Sequence, residues 1–198
     1  MYQIPIVRRC SMKEKMKYSS PKVSDRLIKK IANHDADSFE TLYQLSSSAV
    51  FGLAYSIVGN QVDAEDVVQD VYLSIYEKAH QYKGGGKAMA WIFTITRNQA
   101  LMMIRDRNKR QHVNLDEVYD VGIDHKIEDK VYNDKLIKVI LETLNEDERQ
   151  IVIMHSMSNI KHKEIADLLE MPLSTVLSKY NRALKKLKKE LVVNGYEK

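Results

Sequence analysis

The residue types best suited to chemistry cluster near the C-terminus. Ser174, Thr175, Ser178, Lys179, Arg182 and Lys186 fall opposite the series Val176, Tyr180, Ala183, Leu184, Leu187 and Leu191, whose i, i+4, i+7, i+8, i+11, i+15 spacing defines the buried stripe of a helix. Small hydroxyl side chains in a first turn allow a helix end to approach DNA closely. Lys and Arg one and two turns on reach phosphates or guanine edges. Taken alone, such a face and the neighbouring Lys185, Lys188 and Lys189 read most simply as solvated charge on an amphipathic helix. The preceding segment changes the balance: residues 161–169 form a short helical pattern burying Ile165, Leu168 and Leu169, and Glu170, Met171 and Pro172 break it. Two helices across a tight turn, with the second carrying hydroxyl and basic residues, make a helix-turn-helix with a recognition helix.

Other reactive side chains make no comparable constellation. His155 and His162 stand seven apart, off the i, i+4 spacing that brings two histidines onto one metal, and the six histidines read as surface or satisfied core residues. The single cysteine, Cys10, excludes an internal disulfide framework and a multi-thiolate zinc site, and it suits a reducing cytoplasm. Gly84, Gly85 and Gly86 lack the Lys-Ser/Thr pair of a phosphate-binding loop. No catalytic group, cofactor or metal is therefore expected. No apolar run approaches the roughly 20 residues of a membrane span, so no stable membrane insertion is expected.

These residues need helices to position them. Seven Gly and three Pro in 198 residues punctuate too sparsely for a many-stranded fold, and 44% hydrophobic with 29% charged residues suits a cored protein. The net charge of +4 is modest, so its placement matters more than its sum. The fold class is all-α: two small helical domains joined by a flexible linker, the second a helix-turn-helix. Residues 1–21 mix basic and polar types without helical period and read as a disordered or mis-assigned leader, with Met12 and Met16 as alternative starts. From Ser24, one face holds Leu27, Ile28 and Ile31. Phe39, Leu42 and Tyr43 open a run through Val50, Phe51, Ala54, Tyr55 and Val58 that Gly59 and Asn60 end. Asp63 and Asp66 suggest an acidic cap for the helix of Val67, Val68, Val71, Tyr72 and Ile75. After the glycines, Trp91, Ile92, Ile95 and the cluster 101–104 resume the pattern and close the first domain, 22–111. Acidic, apolar-poor residues 112–132 are the linker. The second domain, 133–193, opens with Leu136, Ile137, Ile140, Leu141 and Leu144, followed by the cap pair Asn145 and Glu148 and by Ile151, Val152 and Met154.

Two stretches carry a family resemblance. Asp63-Ala64-Glu65-Asp66-Val67-Val68-Gln69-Asp70-Val71-Tyr72, followed by Trp91-Ile92-Phe93-Thr94-Ile95-Thr96-Arg97-Asn98, resembles region two of the extracytoplasmic-function sigma factors. Leu144-Asn145-Glu146-Asp147-Glu148-Arg149 and the residues from Lys163 through Pro172 to Leu187 are similar to region four of that family. The order and spacing match over about residues 23–191. Departures fall at Met102, Asn159, Glu170, Leu177 and the glycine loop.

The resemblance implies a protein that binds core RNA polymerase and selects promoter DNA. It implies polymerase docking by Asp66, Gln69 and Asp70; otherwise this face reads as simple surface solvation, with Asp63, Glu65 and Asp66 stabilising a helix N-terminus through its dipole. Segment 81–110 would melt and hold the minus-ten element, with Arg97, Asn98, Arg105 and Arg107 as contacts. Trp91 reads as core rather than as a stacking platform. Ser174, Thr175, Ser178, Lys179 and Arg182 would face the minus-thirty-five element. An anti-sigma factor is an expected further partner. The alternative is a stand-alone helix-turn-helix regulator, for which the first domain would have no use.

Overall fold

The computed structural model describes residues 23–113 and 135–193, and among them every regular element is helical. The expected leader, 1–21, with Cys10, and residues 114–132 of the expected linker lie outside the described residues. Residues 112 and 113, assigned to the linker above, are the last of a helix.

Local signals set most helix ends. Helix α1 (Asp25–Ile31) is capped by Ser24 and buries Ile28 and Ile31. The Asp35 side chain accepts the Ser38 N–H at 2.7 Å and starts α2 (Ala36–Val58), 23 residues and roughly 35 Å long. Gly59, at φ +83°, ends it in the left-handed conformation that costs glycine nothing. Helix α3 (Gln61–Lys78) begins earlier than the acidic-cap reading proposed. Asn60, not Asp63, is its N-cap: Asn60 accepts the Asp63 N–H at 2.9 Å and donates to the Asp63 carboxylate at 2.8 Å. A short 3-10 turn, Ala79–Gln81, and a loop lead to α4 (Ala88–Val113). Helices α2, α3 and α4 pack on one another, burying Leu53, Val67, Val71, Ile75, Ile92 and Phe93.

In the second unit, α5 (Lys135–Thr143) buries Ile137, Ile140 and Leu141. A reciprocal capping box between Asn145 and Glu148 starts α6 (Glu146–Val152), as the sequence suggests. The helix then widens into a π turn, Ile153–Met157, which takes in Met154. Asn159, at φ +55°, reverses the chain into α7 (His162–Leu169). Glu170 holds φ +54° without being glycine, and its neighbour Met171 donates to the Ala166 carbonyl at 3.0 Å. Pro172 precedes α8 (Leu173–Val193), where a missing N–H is harmless, and its carbonyl accepts from Thr175 and Val176. Helices α5, α6 and α7 all pack on α8. The two units also touch: α2 packs against α5, α6 and the π turn, so the buried apolar residues form one continuous cluster. No helix among the described residues is long and apolar enough to cross a membrane.

Candidate nucleic-acid interface

Helix α8 divides the expected recognition set in two. Val176, Ala183 and Leu187 are buried as the stripe requires, and Ser174, Ser178 and Arg182 are exposed. Lys179 is not free to point outward. Its Nζ lies 2.5 Å from Asp147 Oδ2, and its side chain retains only 20% of its exposure. Arg182 Nε sits 3.1 Å from Glu148 Oε1, an ion-pair contact, and Lys186 Nζ donates to Glu148 Oε2 at 2.7 Å. The cause is the acidic first turn of α6, Glu146 to Glu148, where the helix dipole favours carboxylates. That turn lies along the cationic flank of α8, and the Glu148 side chain is fully buried beneath Arg182 and Lys186. Arg182 still keeps 58% of its side-chain exposure.

The face of α8 turned from the core comprises Ser174, Leu177, Ser178, Asn181 and Lys185, all exposed. Asn181 and Leu177 went unselected in the sequence reading, although both fall on this arc at helical spacing. Thr175 is half-buried, and its carbonyl accepts the Ser178 hydroxyl at 2.9 Å.

On α4, Thr94, Asn98, Met102, Arg105 and Lys109 share one exposed face, and Arg97 is half-buried at its edge. Arg107 leaves this group. Its Nη1 donates to Asp63 Oδ2 at 3.1 Å and ties α4 to the start of α3. Trp91 is half-buried, with its ring 5.2 Å from Tyr82. The glycine loop beside it is anchored. Asp25 accepts the Tyr82 hydroxyl at 2.6 Å and the Gly86 N–H at 2.7 Å. These two bonds hold the Asp25 carboxyl below its usual range, the Tyr82 bond counting most. Gly84, Gly85 and Gly86 take φ of +79°, +92° and +72°, a run of left-handed residues that side chains would strain.

Helix α3 presents a separate surface. Asp66, Gln69 and Asp70 are exposed along one stripe, and the same stripe carries Val62 and Leu73, exposed by 69% and 63%. The sequence reading singled out the polar members alone, although Val62 and Leu73 continue their i, i+4, i+7 series. Beside the stripe, Phe39, Tyr43, Val68 and Tyr72 line a shallow, mostly apolar groove of about 490 Å³. Tyr72 is fixed there by a 2.7 Å hydrogen bond with Ser46. Val62 and Leu73 thus leave large apolar side chains in water beside that groove.

Residues 42–110 match the family described as Sigma-70 region 2, and residues 135–187 match Sigma-70, region 4. The ECF RNA polymerase sigma factor SigE of Mycolicibacterium smegmatis is 28% identical over 165 residues, which cover 81% of this chain and 64% of that protein. SigK of Mycobacterium tuberculosis is 26% identical over 178 residues, covering 86% of this chain and 94% of SigK. Among solved structures, RpoE of Bartonella quintana, in complex with the anti-sigma factor NepR, aligns with a TM-score of 0.55. It is 24% identical, over 78% of this chain and 97% of its own. CnrH, in complex with the cytosolic domain of CnrY, aligns at 0.50 with 19% identity, over 87% and 99%. The two matched regions follow one another here as α2 to α4 and α5 to α8, and the chain belongs to the extracytoplasmic-function sigma factors of RNA polymerase.

Proposed function

We propose that this chain works as a non-catalytic specificity factor in the cytoplasm: it docks on core RNA polymerase through the α3 stripe and carries the enzyme to promoter DNA. The observation that carries the reading is that stripe, where Val62 and Leu73 stand in water beside Asp66, Gln69 and Asp70. A stand-alone DNA-binding regulator would have no need of it. The outer arc of α8, Ser174, Leu177, Ser178 and Asn181, with Thr175 and Arg182 at its border, enters the major groove of the minus-thirty-five element. Lys179 supports that helix through Asp147 and reaches DNA only by leaving this partner. Asn98 and Arg105 on α4, with Arg97 at the edge, hold the minus-ten strand by charge and stacking, while Arg107 fixes α4 against α3. RpoE of Bartonella quintana was solved with the anti-sigma factor NepR, and CnrH with the cytosolic domain of CnrY. By that analogy an anti-sigma factor competes for the α3 surface.

The test is fluorescence titration of core polymerase with the Asp66→Lys/Asp70→Lys double variant and with Leu73→Ala. Each should weaken binding at least about tenfold, the equivalent of roughly 1.4 kcal/mol, with the far-ultraviolet circular dichroism unchanged. Undiminished binding by both variants would remove α3 as the docking helix.

A further inference from the structure

Large apolar side chains stand in water at two consecutive turns of α8. Leu173, the first residue of the helix, is 43% exposed, and Leu177, one turn on, is 40% exposed. A single exposed leucine is ordinary, but these two neighbour each other on the arc turned from the core. That arc is also uncharged as far as Asn181, since Ser174 and Ser178 are its other members and a cation joins only at Lys185. The nearer cations are drawn to the flank: Lys179 pairs with Asp147, and Arg182 and Lys186 pair with the fully buried Glu148. The Ser178 hydroxyl donates to the Thr175 carbonyl at 2.9 Å, so its proton is already engaged. What the centre of the arc offers a ligand is therefore mainly apolar, and Leu177 is at its middle.

We infer that Leu177 sets base preference in the upstream element by packing on the 5-methyl group of a thymine. The inference rests on the reading above in which this arc of α8 enters the major groove. In that groove thymine alone among the four bases presents an apolar group, and the remaining edge atoms are hydrogen-bond donors and acceptors. Leucine satisfies none of those donors or acceptors, and it would displace their water without replacing the bonds. Against the methyl it removes apolar surface of both partners from water. Guanine and cytosine thus lose groove-edge hydration beneath Leu177 and gain nothing in return. The paired cations fit the same division: the neutral centre of the arc reads a base, while Arg182 and Lys186 at the flank attract phosphate in any sequence.

The test uses the full chain assembled on core polymerase, with an upstream duplex chosen by that holoenzyme from a randomised pool. Each thymine of the chosen duplex is then replaced singly by deoxyuridine, which removes the methyl and leaves the hydrogen-bonding edge intact. At one thymine the wild-type holoenzyme should lose affinity about fourfold, the equivalent of roughly 0.8 kcal/mol for one buried carbon. Leu177→Ala should bind the thymine and uracil duplexes alike at that position. Its salt dependence should match wild type, because no phosphate contact has gone. Alanine is the best helix former, so the exposed substitution leaves α8 intact. Leu177→Met keeps the apolar reach and should retain the uracil penalty. Indifference of wild type to every uracil, or a full uracil penalty in Leu177→Ala, would overturn the inference. An equal loss of core-polymerase binding by Leu177→Ala without DNA would overturn it too, by making the leucine a protein contact. Failure of the wild-type holoenzyme to select any upstream sequence would remove the minus-thirty-five reading of α8 itself, and this inference with it.

Discussion

Glu148 is the residue whose replacement most sharply probes how the second unit holds its recognition helix. Its side chain is fully buried, yet it meets two cations, Lys186 at 2.7 Å and Arg182 at 3.1 Å, and it receives the Asn145 N–H at 3.3 Å in the capping box. Glu148→Gln removes the charge and keeps an acceptor for the cap. A hydrogen bond to a charged group contributes about 1.5–3 kcal/mol. Lys186 and Arg182 keep 41% and 58% of their side-chain exposure, however, and water takes over both cations, which halves the effect. The expected cost is about 1–2 kcal/mol. Arg182→Ala/Lys186→Ala removes both counter-charges together with the side chains that cover Glu148, so water reaches the carboxylate and the cost stays on the same scale, about 1–2 kcal/mol. Native-state hydrogen exchange of α6 and α8 amides in the full chain measures both opening free energies. Changes below about 0.5 kcal/mol in both variants would refute the reasoning.

Two further predictions concern the first unit's loop and the second unit's pH response. Asp25→Asn and Tyr82→Phe should each speed hydrogen exchange at the Gly86 amide, because each weakens the clamp made by Asp25 with Tyr82 and Gly86; unchanged protection in both would show that the loop is held otherwise. His162 is kept below its ordinary value of 6.5 by burial and then by His155, whose ring stacks on it at 3.9 Å. The unfolded chain takes up a proton near pH 6.5 that the folded His162 resists, so this histidine's contribution is at its full value above that pH. It falls as pH drops from about 6.5 toward the lower folded value, then levels off. The thermal midpoint of wild type should therefore drop more between pH 7.5 and 5.5 than that of His162→Gln, and equal drops would sink the assignment.

The helices and their ends were legible wherever the signal is local. The 3.6-residue period located α2, α3 and α8, and Gly59, the Asn145–Glu148 box and Pro172 act within a turn of themselves, so their meaning survives without knowledge of the fold. The Asn60 cap was missed because an equally plausible acidic cap stood three residues on. The stacking of His155 on His162 could not be read from their spacing, since the reversal at Asn159 brings together rings from separate elements. Lys179 looked like a DNA contact because helical phase shows only that a side chain leaves the core stripe. Whether it meets solvent or a carboxylate depends on Asp147, 32 residues away, just as the pairing of Lys186 depends on Glu148, 38 residues away. By itself the sequence determined the all-helical class, the helix-turn-helix and the polar members of the α3 stripe, because periodicity and capping are properties of neighbouring residues. Only the tertiary structure decided which cations of α8 stay available and that α2 lies against Ile137 and Ile153, because those outcomes belong to surfaces that the chain brings together from far apart.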